Sequence, residues 1–567
     1  MTPKEIFLEC LKPGGRPERQ LKQYEGLNFV PFDPIGTYLS AAATPGSMEV
    51  NRWGVTIMYP VGAPGRMPHI TPENKVIKDI TRWREVVHAP DIASNCRTGW
   101  DELLKKVSRD DKLLTGFMPT GLFEQCHYMM GFEDTLTNFF EHPKEMHELI
   151  EYINDYRLEY AKMLIDNMHP EVILSHDDWG TKEALFMRPD MWRDFFKEPY
   201  RRLYQYIRSR GVITIHHADS YLVPIVEDMA EIGIQVWQGV LPENNIPELQ
   251  KQLGGRMALM GGIGAAIDRV DATEAEIRAH VRSTLETCCP AGNFIPCITY
   301  GDPGTVFDFV DPIIDSEIDS YNSELHLPLV YRAAPVHRIK SEKSVSSDAV
   351  KSDDCSSDIF EKLSQATARG LQKRVLALCE EALAAGETAQ DILSRGLVPG
   401  MTRLGEDFSA GRAFVPEMLM AAKCMSSATE LLKPHLVAGG SKSIGRVCIG
   451  TVKGDMHDIG KNLVKIMMEG SGLEVIDLGV DVSAERFIDS AIENNCDIIA
   501  CSALLTTSMV EMRGVVELAK QRGIRSRVKI MIGGAPTSQQ FCDEIGADTY
   551  SPDAAEAARK AVALLAG

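Results

Sequence analysis

The sequence has 567 residues, 44% of them hydrophobic and 25% charged, which is the composition and length of a chain with several globular domains. The formal net charge of −20 argues against nucleic acid as a partner, and no apolar run approaches the ~20 residues that cross a bilayer, so neither nucleic acid nor membrane is expected. The 13 cysteines form no regular framework, which predicts reduced thiols and a cytoplasmic location.

Residues 1–335 alternate short apolar runs with amphipathic helical stretches. The runs that read as strands are Leu113–Met118, Glu171–Ser175, Val212–Ile215, Ile234–Trp237, Met257–Met260 and Phe294–Thr299. Strand, helix and strand in succession predict parallel βαβ units. Because no glycine-rich dinucleotide loop accompanies them, an α/β fold with an N-terminal (β/α)8 barrel is favoured over an open sheet.

Polar side chains stand at the ends of these predicted strands. Asp178 follows the second run, His216, His217 and Asp219 follow or end the third, and Cys297 lies in the last. The C-terminal strand ends of such barrels carry the chemistry. Asp178, His216 and Asp219 are therefore predicted to be catalytic, with an aspartate acting as general acid. A helix cap or a hydrogen bond across the barrel mouth explains an aspartate there equally well.

The rest of the chain divides into three segments. Residues 336–358 are rich in serine and charge and predict a flexible linker. Residues 359–440 have helical periodicity without a convincing strand and predict a small helical bundle. Residues 441–567 alternate short strands with helices, which predicts a flavodoxin-like doubly wound domain that binds ligands beyond the carboxyl ends of its strands.

A polar loop follows the first strand of this last domain and contains Asp455, His457 and Gly460. Alone, it reads as a structural turn or a generic metal-binding loop. Together with the Ser502–Leu504 and Gly533–Gly534 segments, which follow later strands, it resembles the signature of cobalamin-binding domains. The resemblance implies that His457 binds the cobalt of cobalamin or a related corrinoid. The cofactor-binding residues it implies are Asp455, His457, Asp458, Ile459, Gly460, Ser502, Leu504, Gly533 and Gly534.

The bundle before this domain contains the segment Val415–Leu419, whose plain interpretation is helix core. In corrinoid proteins of methyl transfer, a helical bundle in this place covers the upper face of the corrin. The resemblance therefore implies Met418 and Leu419 as candidates for contact with the corrinoid.

The first 335 residues resemble the uroporphyrinogen decarboxylase-like family, which includes corrinoid-linked methyltransferases. The resemblance rests on NRWG at 51–54, HDDWG at 176–180 and the segment 215–239. Fusion of such a barrel to a corrinoid module resembles the chloromethane:corrinoid methyltransferases. It implies a small methylated substrate, and as protein partners a second methyltransferase or a reductive activase.

Thiol-directed members of that family bind zinc through His-x-Cys and a distant cysteine. Here His216 matches the histidine and Cys297 the distant cysteine, but Ala218 stands in the place of the first cysteine. A substitute zinc set of His216, His217, Asp219 and Cys297 is chemically acceptable, because zinc accepts nitrogen, sulfur and carboxylate ligands. A metal-free site that hydrogen-bonds the substrate is the equal alternative.

The predicted function is corrinoid-dependent methyl transfer between a small molecule in the barrel and the cobalt. An adenosylcobalamin-dependent mutase is one alternative, which the bundle disfavours because a mutase has no methyl group to shelter. A cobalamin-binding regulatory or storage protein is another. The methyl donor, the final acceptor and the direction of transfer stay open at this point.

Overall fold

The computed structural model describes most of the chain as two compact units, Met1–Ile339 and Lys340–Gly567. The described residues are 1–30, 33–60, 65–107, 109, 111–268, 272–298, 307–325, 358–409, 412–439, 444–455, 459–503, 506–534 and 536–566. The predicted linker 336–358 lies outside them except for its last residue. Among the described helices, none combines the length and apolar character needed to span a bilayer.

The first unit contains ten strands among its described residues. They are β1 (Leu27–Phe29), β2 (Met48–Val50), β3 (Thr56–Met58), β4 (Met67–Pro68), β5 (Leu113–Met118), β6 (Val172–His176), β7 (Ile213–His217), β8 (Val236–Val240), β9 (Ala258–Ile263) and β10 (Phe294–Ile298). Seven of them form one parallel sheet in the order β1-β5-β6-β7-β8-β9-β10, and β2, β3 and β4 form a separate antiparallel sheet.

The helices of this unit lie between and around the strands. They are α1 (Pro3–Cys10), α2 (Pro34–Leu39), α3 (Trp83–Val86), α4 (Ile92–Asn95), α5 (Trp100–Leu104), α6 (Leu122–Met130), α7 (Phe132–Glu141), α8 (Pro143–Met168), α9 (Pro189–Trp192), α10 (Glu198–Ser209), α11 (Val226–Ile232), α12 (Ile246–Leu253), α13 (Glu274–Cys288) and α14 (Phe307–Glu324). Short 3-10 turns and one π-helical segment, Arg193–Lys197, join some of them.

The seven-stranded sheet curves around one apolar interior, as in a barrel. Side chains from every one of its strands belong to a single buried cluster, which includes Leu27, Leu113, Val172, Ile215, Val236, Ala258 and Ile295. The two ends of the sheet also approach each other, since Gln23 Oε1 accepts a hydrogen bond from the Ile298 N–H at 3.2 Å. The predicted α/β barrel class is thus confirmed, with seven of its strands among the described residues.

The buried residues of helix α10 are spaced as in a helix that packs one face against the protein. Its buried residues Tyr200, Leu203, Tyr204 and Ile207 lie three and four positions apart, and the helix packs against β7. This face carries two tyrosine hydroxyls to the level at which β6 and β7 end.

The second unit is a helical bundle followed by a doubly wound sheet. Its strands are β11 (Arg446–Thr451), β12 (Glu474–Asp477), β13 (Ile498–Ser502), β14 (Lys529–Gly533) and β15 (Thr549–Ser551). Its helices are α15 (Ile359–Ala368), α16 (Gln372–Ala384), α17 (Ala389–Asp391), α18 (Val398–Ser409), α19 (Val415–Gly439), α20 (Ile459–Gly470), α21 (Ala484–Glu493), α22 (Thr506–Met509), α23 (Glu511–Gln521), α24 (Gln539–Ile545) and α25 (Ala554–Ala566), with a π-helical segment at Ile392–Leu397.

The sheet order β12-β11-β13-β14-β15 is fully parallel, as predicted for a flavodoxin-like domain. The bundle α15–α19 packs through α18 and α19 against α20 and α25. One apolar cluster runs from the bundle, through these two helices, to the sheet. The bundle is therefore an integral part of the second unit.

Candidate functional site

The carboxyl ends of the second sheet place a row of small residues side by side. The row consists of Thr451, Ser502, Gly533 and Ser551, which are successive neighbours in the strand register. The Ser551 hydroxyl oxygen is buried and has no hydrogen-bond partner among the described residues. Such an atom is costly unless a ligand or water satisfies it. The row therefore fits a ligand that brings polar atoms to this edge.

Asp455 lies four residues beyond the end of β11 and is fully buried. Its Oδ2 accepts a hydrogen bond from Ser508 Oγ at 2.7 Å. Its backbone is also fixed, because its N–H donates to Val452 O at 3.2 Å and its carbonyl accepts from the Asp481 N–H at 3.0 Å. A carboxylate held in this way can orient a nearby imidazole that binds a metal.

Sequence reasoning missed Ser508, which lies in α22 and belongs to no recognised motif. A serine inside a short helix carries no signal of its own, and only the folded structure brings it to Asp455. The predicted cofactor-binding role of Ser502 stays a prediction. Ser502 lies at the end of β13 and is half-buried.

Part of the predicted corrinoid loop lies outside the described residues, namely His457, Asp458 and Leu504. Ile459 and Gly460 are the first residues of α20. A Cβ added to Gly460 would meet nothing within 4 Å. Packing among the described residues therefore does not explain this glycine, and the space beside it can take a ligand.

The two glycines after β14 have a different environment. Gly534 has φ +117°, and a Cβ there would lie 1.8 Å from the Ala503 carbonyl oxygen. At Gly533 a Cβ would lie 3.1 Å from the Ser551 carbonyl oxygen. The close approach of neighbouring backbone explains Gly534 without any ligand, and its predicted cofactor-binding role stays a prediction.

Met418 is fully buried, and Leu419 is 8% exposed. Met418 belongs to the apolar cluster that joins the bundle to the sheet. This position favours the plain helix-core interpretation of Met418 over contact with a corrinoid. The proposed contact through Leu419 stays a prediction.

The described residues of this edge fit a corrinoid. A buried, fixed carboxylate stands two residues before the predicted cobalt ligand, a buried hydroxyl lacks a partner, and the glycine at the start of α20 faces open space. All of these features lie at the carboxyl ends of parallel strands, which is where doubly wound folds bind ligands.

A second polar cluster lies at the barrel mouth, where β6 and β7 end side by side. His176 is the register partner of His217, and their rings stack with centroids 4.6 Å apart. Asp178 Oδ2 is 4.0 Å from His176 Nε2. One potential ligand atom from each of His176, Asp178 and His217 lies within 4.8 Å of the other two. The fold thus brings two imidazoles and one carboxylate together.

His216 does not belong to this cluster, which corrects its prediction as a metal ligand and a catalytic residue. It is fully buried, and its Nε2 lies 3.2 Å from the Asp177 carbonyl oxygen. Because a carbonyl only accepts, Nε2 carries the proton, and Nδ1 accepts from the Tyr204 hydroxyl at 2.6 Å. Both ring nitrogens are therefore occupied inside the protein. Adjacent strand residues point to opposite faces, so His217 takes the mouth side.

Asp177 is likewise structural, although its neighbour Asp178 is not. Asp177 is fully buried and accepts hydrogen bonds from the backbone N–H groups of Phe123 and Glu124 at 3.0 and 2.9 Å. The Tyr200 hydroxyl and the Trp179 indole N–H also donate to its Oδ2, at 2.5 and 2.9 Å. Asp177 thus caps the first turn of α6 from a neighbouring strand end.

Asp219 lies beside the cluster and contributes through its backbone, since its N–H donates to Asp178 Oδ1 at 3.1 Å. Burial raises the pKa of the Asp219 carboxyl to about 7, and the charge of Asp178 acts in the same direction. A carboxyl that titrates near neutrality can give or take a proton, as predicted for a catalytic acid. Its role as a zinc ligand stays a prediction.

Cys297 is fully buried in the interior core of the barrel, and its thiol lies 3.2 Å from the Ile298 carbonyl oxygen. Burial raises the pKa of this thiol to about 12, and hydrogen bonds with Tyr24 and Gln238 act in the opposite direction. A protonated thiol below the mouth is poorly placed to bind a metal there. The structure therefore gives no support to Cys297 as a zinc ligand.

Glu124 in α6 is a member of the site that the sequence did not reveal. Its Oε2 lies 2.9 Å from His176 Nδ1, and its side chain is 7% exposed. Burial opposes charge on both groups, but their attraction prevails: the pKa of Glu124 falls to about 2 and the pKa of His176 rises to about 10. The glutamate comes from the helix after β5, and the pairing of β5 with β6 brings it to the end of β6.

Family comparisons divide the chain in the same way as its fold. The uroporphyrinogen decarboxylase (URO-D) family matches residues 48–319. Two B12 binding domain families match residues 359–433 and 445–563.

Several individual proteins are similar to about a third of this chain. Dimethylamine corrinoid protein 2 of Methanosarcina acetivorans is 43% identical over 211 residues, which cover 37% of this chain and 97% of that protein. Trimethylamine corrinoid protein 1 of the same organism is 43% identical over 190 residues, 33% of this chain and 88% of that protein. The structure of Methanosarcina barkeri monomethylamine corrinoid protein aligns with 39% identity, covering 36% of this chain and 98% of that one, at a TM-score of 0.24.

Proposed function

Because the chain belongs to the family of the methylamine corrinoid proteins and carries a uroporphyrinogen decarboxylase-type barrel as well, we propose that it is a corrinoid-dependent methyltransferase. It moves a methyl group between a small molecule in the barrel and a corrinoid bound by the second unit. The observation that carries the proposal is that one chain contains two parallel sheets, each with polar side chains gathered at its carboxyl ends. A barrel or a corrinoid-binding unit that worked alone would not need to be joined to the other in one chain.

When bound, the corrinoid supplies a cobalt centre that accepts a methyl group and gives it up again. His457 is the proposed cobalt ligand, and Asp455 holds the proton on the other nitrogen of that imidazole. Ser508 donates to Asp455 Oδ2 and helps to hold the carboxylate in place. Ser551 and Gly460 are proposed to face the cofactor at the strand ends.

In the barrel, the polar cluster binds and orients the small substrate. Asp219, with a pKa of about 7, is proposed to exchange a proton with the heteroatom that loses or gains the methyl group. Asp178 is held by the Asp219 N–H and stays turned toward the mouth. A reductive activase is a proposed partner, since cobalt must be reduced before it can accept a methyl group. A second methyltransferase is another proposed partner, which would pass the methyl group from the cobalt to the final acceptor.

The test offers small molecules to the full chain loaded with corrinoid and reduced. A methylamine, a methoxy compound, a methyl halide and a methylthiol are added separately, and the visible spectrum of the cobalt centre is followed with time. We expect one class to change the spectrum at a rate that saturates with substrate, and its demethylated product to accumulate. If every class fails, and methylated holo-protein also transfers no methyl group to thiols or folates, the proposal is wrong.

The cobalt ligand is tested on its own with His457→Ala. The variant should lose the spectrum of a histidine-bound corrinoid but keep the secondary structure of the wild type. An unchanged spectrum contradicts the ligand assignment.

A further inference from the structure

The barrel mouth carries three side chains arranged as the protein half of a metal site. We propose that His176, Asp178 and His217 bind one zinc-like divalent metal ion, which leaves a position open for a small oxygen-donor substrate. The inference specifies how the barrel site of the proposed function binds its substrate. It rests on the proposed function only for the methyl transfer that the substrate undergoes. The three potential ligand atoms lie within 4.8 Å of one another.

His217 presents a single nitrogen to the common point. Its Nδ1 is hydrogen-bonded to Gln238 Oε1, and the amide of Gln238 is itself oriented because its Nε2 donates to the Tyr24 hydroxyl at 3.1 Å. With Oε1 as the acceptor, Nδ1 of His217 carries the proton. Nε2 then holds the lone pair that a metal requires.

His176 is oriented by the same logic on the neighbouring strand. Its Nδ1 donates to Glu124 Oε2 at 2.9 Å, and that oxygen also accepts from the Gly121 N–H at 3.2 Å. The capping interaction at the start of α6 therefore fixes the glutamate, and the glutamate fixes the imidazole. A histidine whose second nitrogen faces a carboxylate is the usual arrangement behind a bound metal.

Asp178 completes the set with one oxygen. Its Oδ1 accepts the Asp219 N–H at 3.1 Å, which leaves Oδ2 on the side of His176. Each of the three side chains thus has one polar atom held from behind and one directed to the shared space. Hydrogen bonds within the cluster would not by themselves require all three free polar atoms to point to the same space.

The distances and exposure suit an ion-free form of such a site. Asp178 Oδ2 and His176 Nε2 are 4.0 Å apart, against about 3.3 Å between ligands of a tetrahedral zinc with bonds of about 2.0 Å. Small side-chain rotations close that gap. Both side chains are 28% exposed, so an ion and a substrate can reach them from the mouth.

The ligand set also indicates the class of substrate. Metal binding displaces the second proton of His176, and the two neutral imidazoles and one carboxylate then leave a divalent ion with one net positive charge and no thiolate among its ligands. Three protein ligands with an open fourth position are typical of catalytic rather than structural zinc. Without sulfur ligands, the ion favours oxygen in that position, which points to an alcohol or a methoxy compound in preference to a thiol.

The test adds zinc chloride to the full corrinoid-loaded chain after chelator treatment. Zinc content is measured by plasma mass spectrometry, and the ligands by X-ray absorption at the zinc edge, where the corrinoid cobalt does not interfere. We expect one zinc per chain and a shell of nitrogen and oxygen at about 2.0 Å without sulfur at about 2.3 Å. Absence of zinc, or a sulfur shell, overturns the proposal.

Variants locate the site. His176→Ala and His217→Ala should each lose the stoichiometric zinc, whereas Cys297→Ser and His147→Ala should keep it, His147 being a partly exposed histidine of the same unit. Gln238→Leu and Glu124→Gln remove only the groups behind the imidazoles and should weaken zinc binding about 10- to 100-fold. These milder changes keep the proposal testable if the alanine variants fold poorly. Unchanged zinc affinity in folded His176→Ala or His217→Ala overturns it.

The substrate class is read from the same samples. Methanol or a methoxy compound should alter the zinc-edge spectrum of wild-type protein, and methanethiol should do so more weakly or bring in sulfur only at higher concentration. Stronger binding of the thiol overturns the oxygen-donor assignment. A zinc site without methyl transfer would instead refute the proposed function, and methyl transfer by zinc-free protein would refute substrate binding at the metal.

Discussion

Neighbouring residues at the ends of β6 and β7 have opposite environments. Asp177 and His216 are buried among helix backbone and tyrosine hydroxyls, while Asp178 and His217 face the barrel mouth. The alternation of side chains along and just beyond a strand separates the two roles. Residues that support the site and residues that form it therefore differ by one position.

Asp177 should matter for stability more than for chemistry. Asp177→Ala removes an acceptor of four hydrogen bonds and leaves their donors buried, so we expect the barrel to lose about 3 kcal/mol. All 6 tryptophans lie in the first unit, so their fluorescence during urea unfolding reports this unit alone. The exposed Asp194→Ala is the matched control and should change little. A loss below about 1 kcal/mol would contradict the capping role.

Substitutions of two glycines in the second unit should distinguish a role in packing from a role in ligand binding. Gly534→Ala forces a methyl group into the Ala503 carbonyl at a positive φ and should unfold the domain in thermal melts followed by circular dichroism. Gly460→Ala meets no protein atom and should keep or raise the melting temperature, because alanine favours a helix. It should nevertheless weaken corrinoid binding on the order of tenfold, measured by titration of corrinoid absorbance.

The control for this pair is Gly514→Ala in α23. A Cβ there meets only Ala484 Cβ, at 3.9 Å, so both the fold and corrinoid affinity should be retained. Wild-type corrinoid affinity in Gly460→Ala would mean that no ligand occupies the space beside this glycine.

At the scale of elements, hydrophobic runs predict the longer strands of the barrel well and its short strands poorly. The six predicted runs correspond to β5–β10; the first coincides with β5, and no end of the other five differs by more than three residues. The three-residue β1 and the antiparallel β2–β4 sheet were missed, because so few residues carry no clear periodicity. The same holds for the sites: the sequence predicts the strand-end residues. Glu124 and Ser508 lie in helices, and only the folded structure shows that they contact these residues.

Helix α14 carries acidic residues one turn apart, Asp311, Asp315 and Asp319. Asp319 pairs with Lys22 at 2.7 Å, and Asp311 accepts from Gln23 Nε2 at 3.0 Å. Asp315 has no partner for its buried Oδ1 among the described residues. Burial raises the pKa of Asp315 to about 6, with Lys22 opposing and the two flanking aspartates adding to the rise.

This raised pKa makes the barrel less stable above neutrality. The folded state holds the proton of Asp315 more tightly than the unfolded chain, so the stabilisation is full below pH 4 and is lost as the pH rises through about 6. Asp315→Asn should be more stable than wild type by about 1–2 kcal/mol at pH 8, allowing for partial exposure, and nearly equal at pH 4. Tryptophan fluorescence in urea at both pH values measures the difference; a constant difference contradicts the assignment.

At the scale of the whole molecule, the chain joins a barrel to a module that matches nearly the full length of separate corrinoid proteins. The second unit has its own apolar cluster, which includes the bundle and the sheet. A fragment of residues 359–567 should therefore fold and bind corrinoid without the barrel. The relatives that match this part support its independence, since 97% of one such protein aligns with it.

Joining the two units in one chain should raise the rate of methyl transfer and leave the reaction itself unchanged. If fragments 1–335 and 359–567 are mixed, methyl transfer should depend on the concentration of both, because the step becomes bimolecular. In the full chain, covalent connection should give the second unit an effective concentration on the order of millimolar for the barrel, so micromolar fragments should react on the order of a thousandfold more slowly. Stopped-flow spectra of the corrinoid against barrel concentration measure this. A full-chain rate that rises in proportion to its own concentration would show that transfer occurs between molecules, and that the connection serves another purpose.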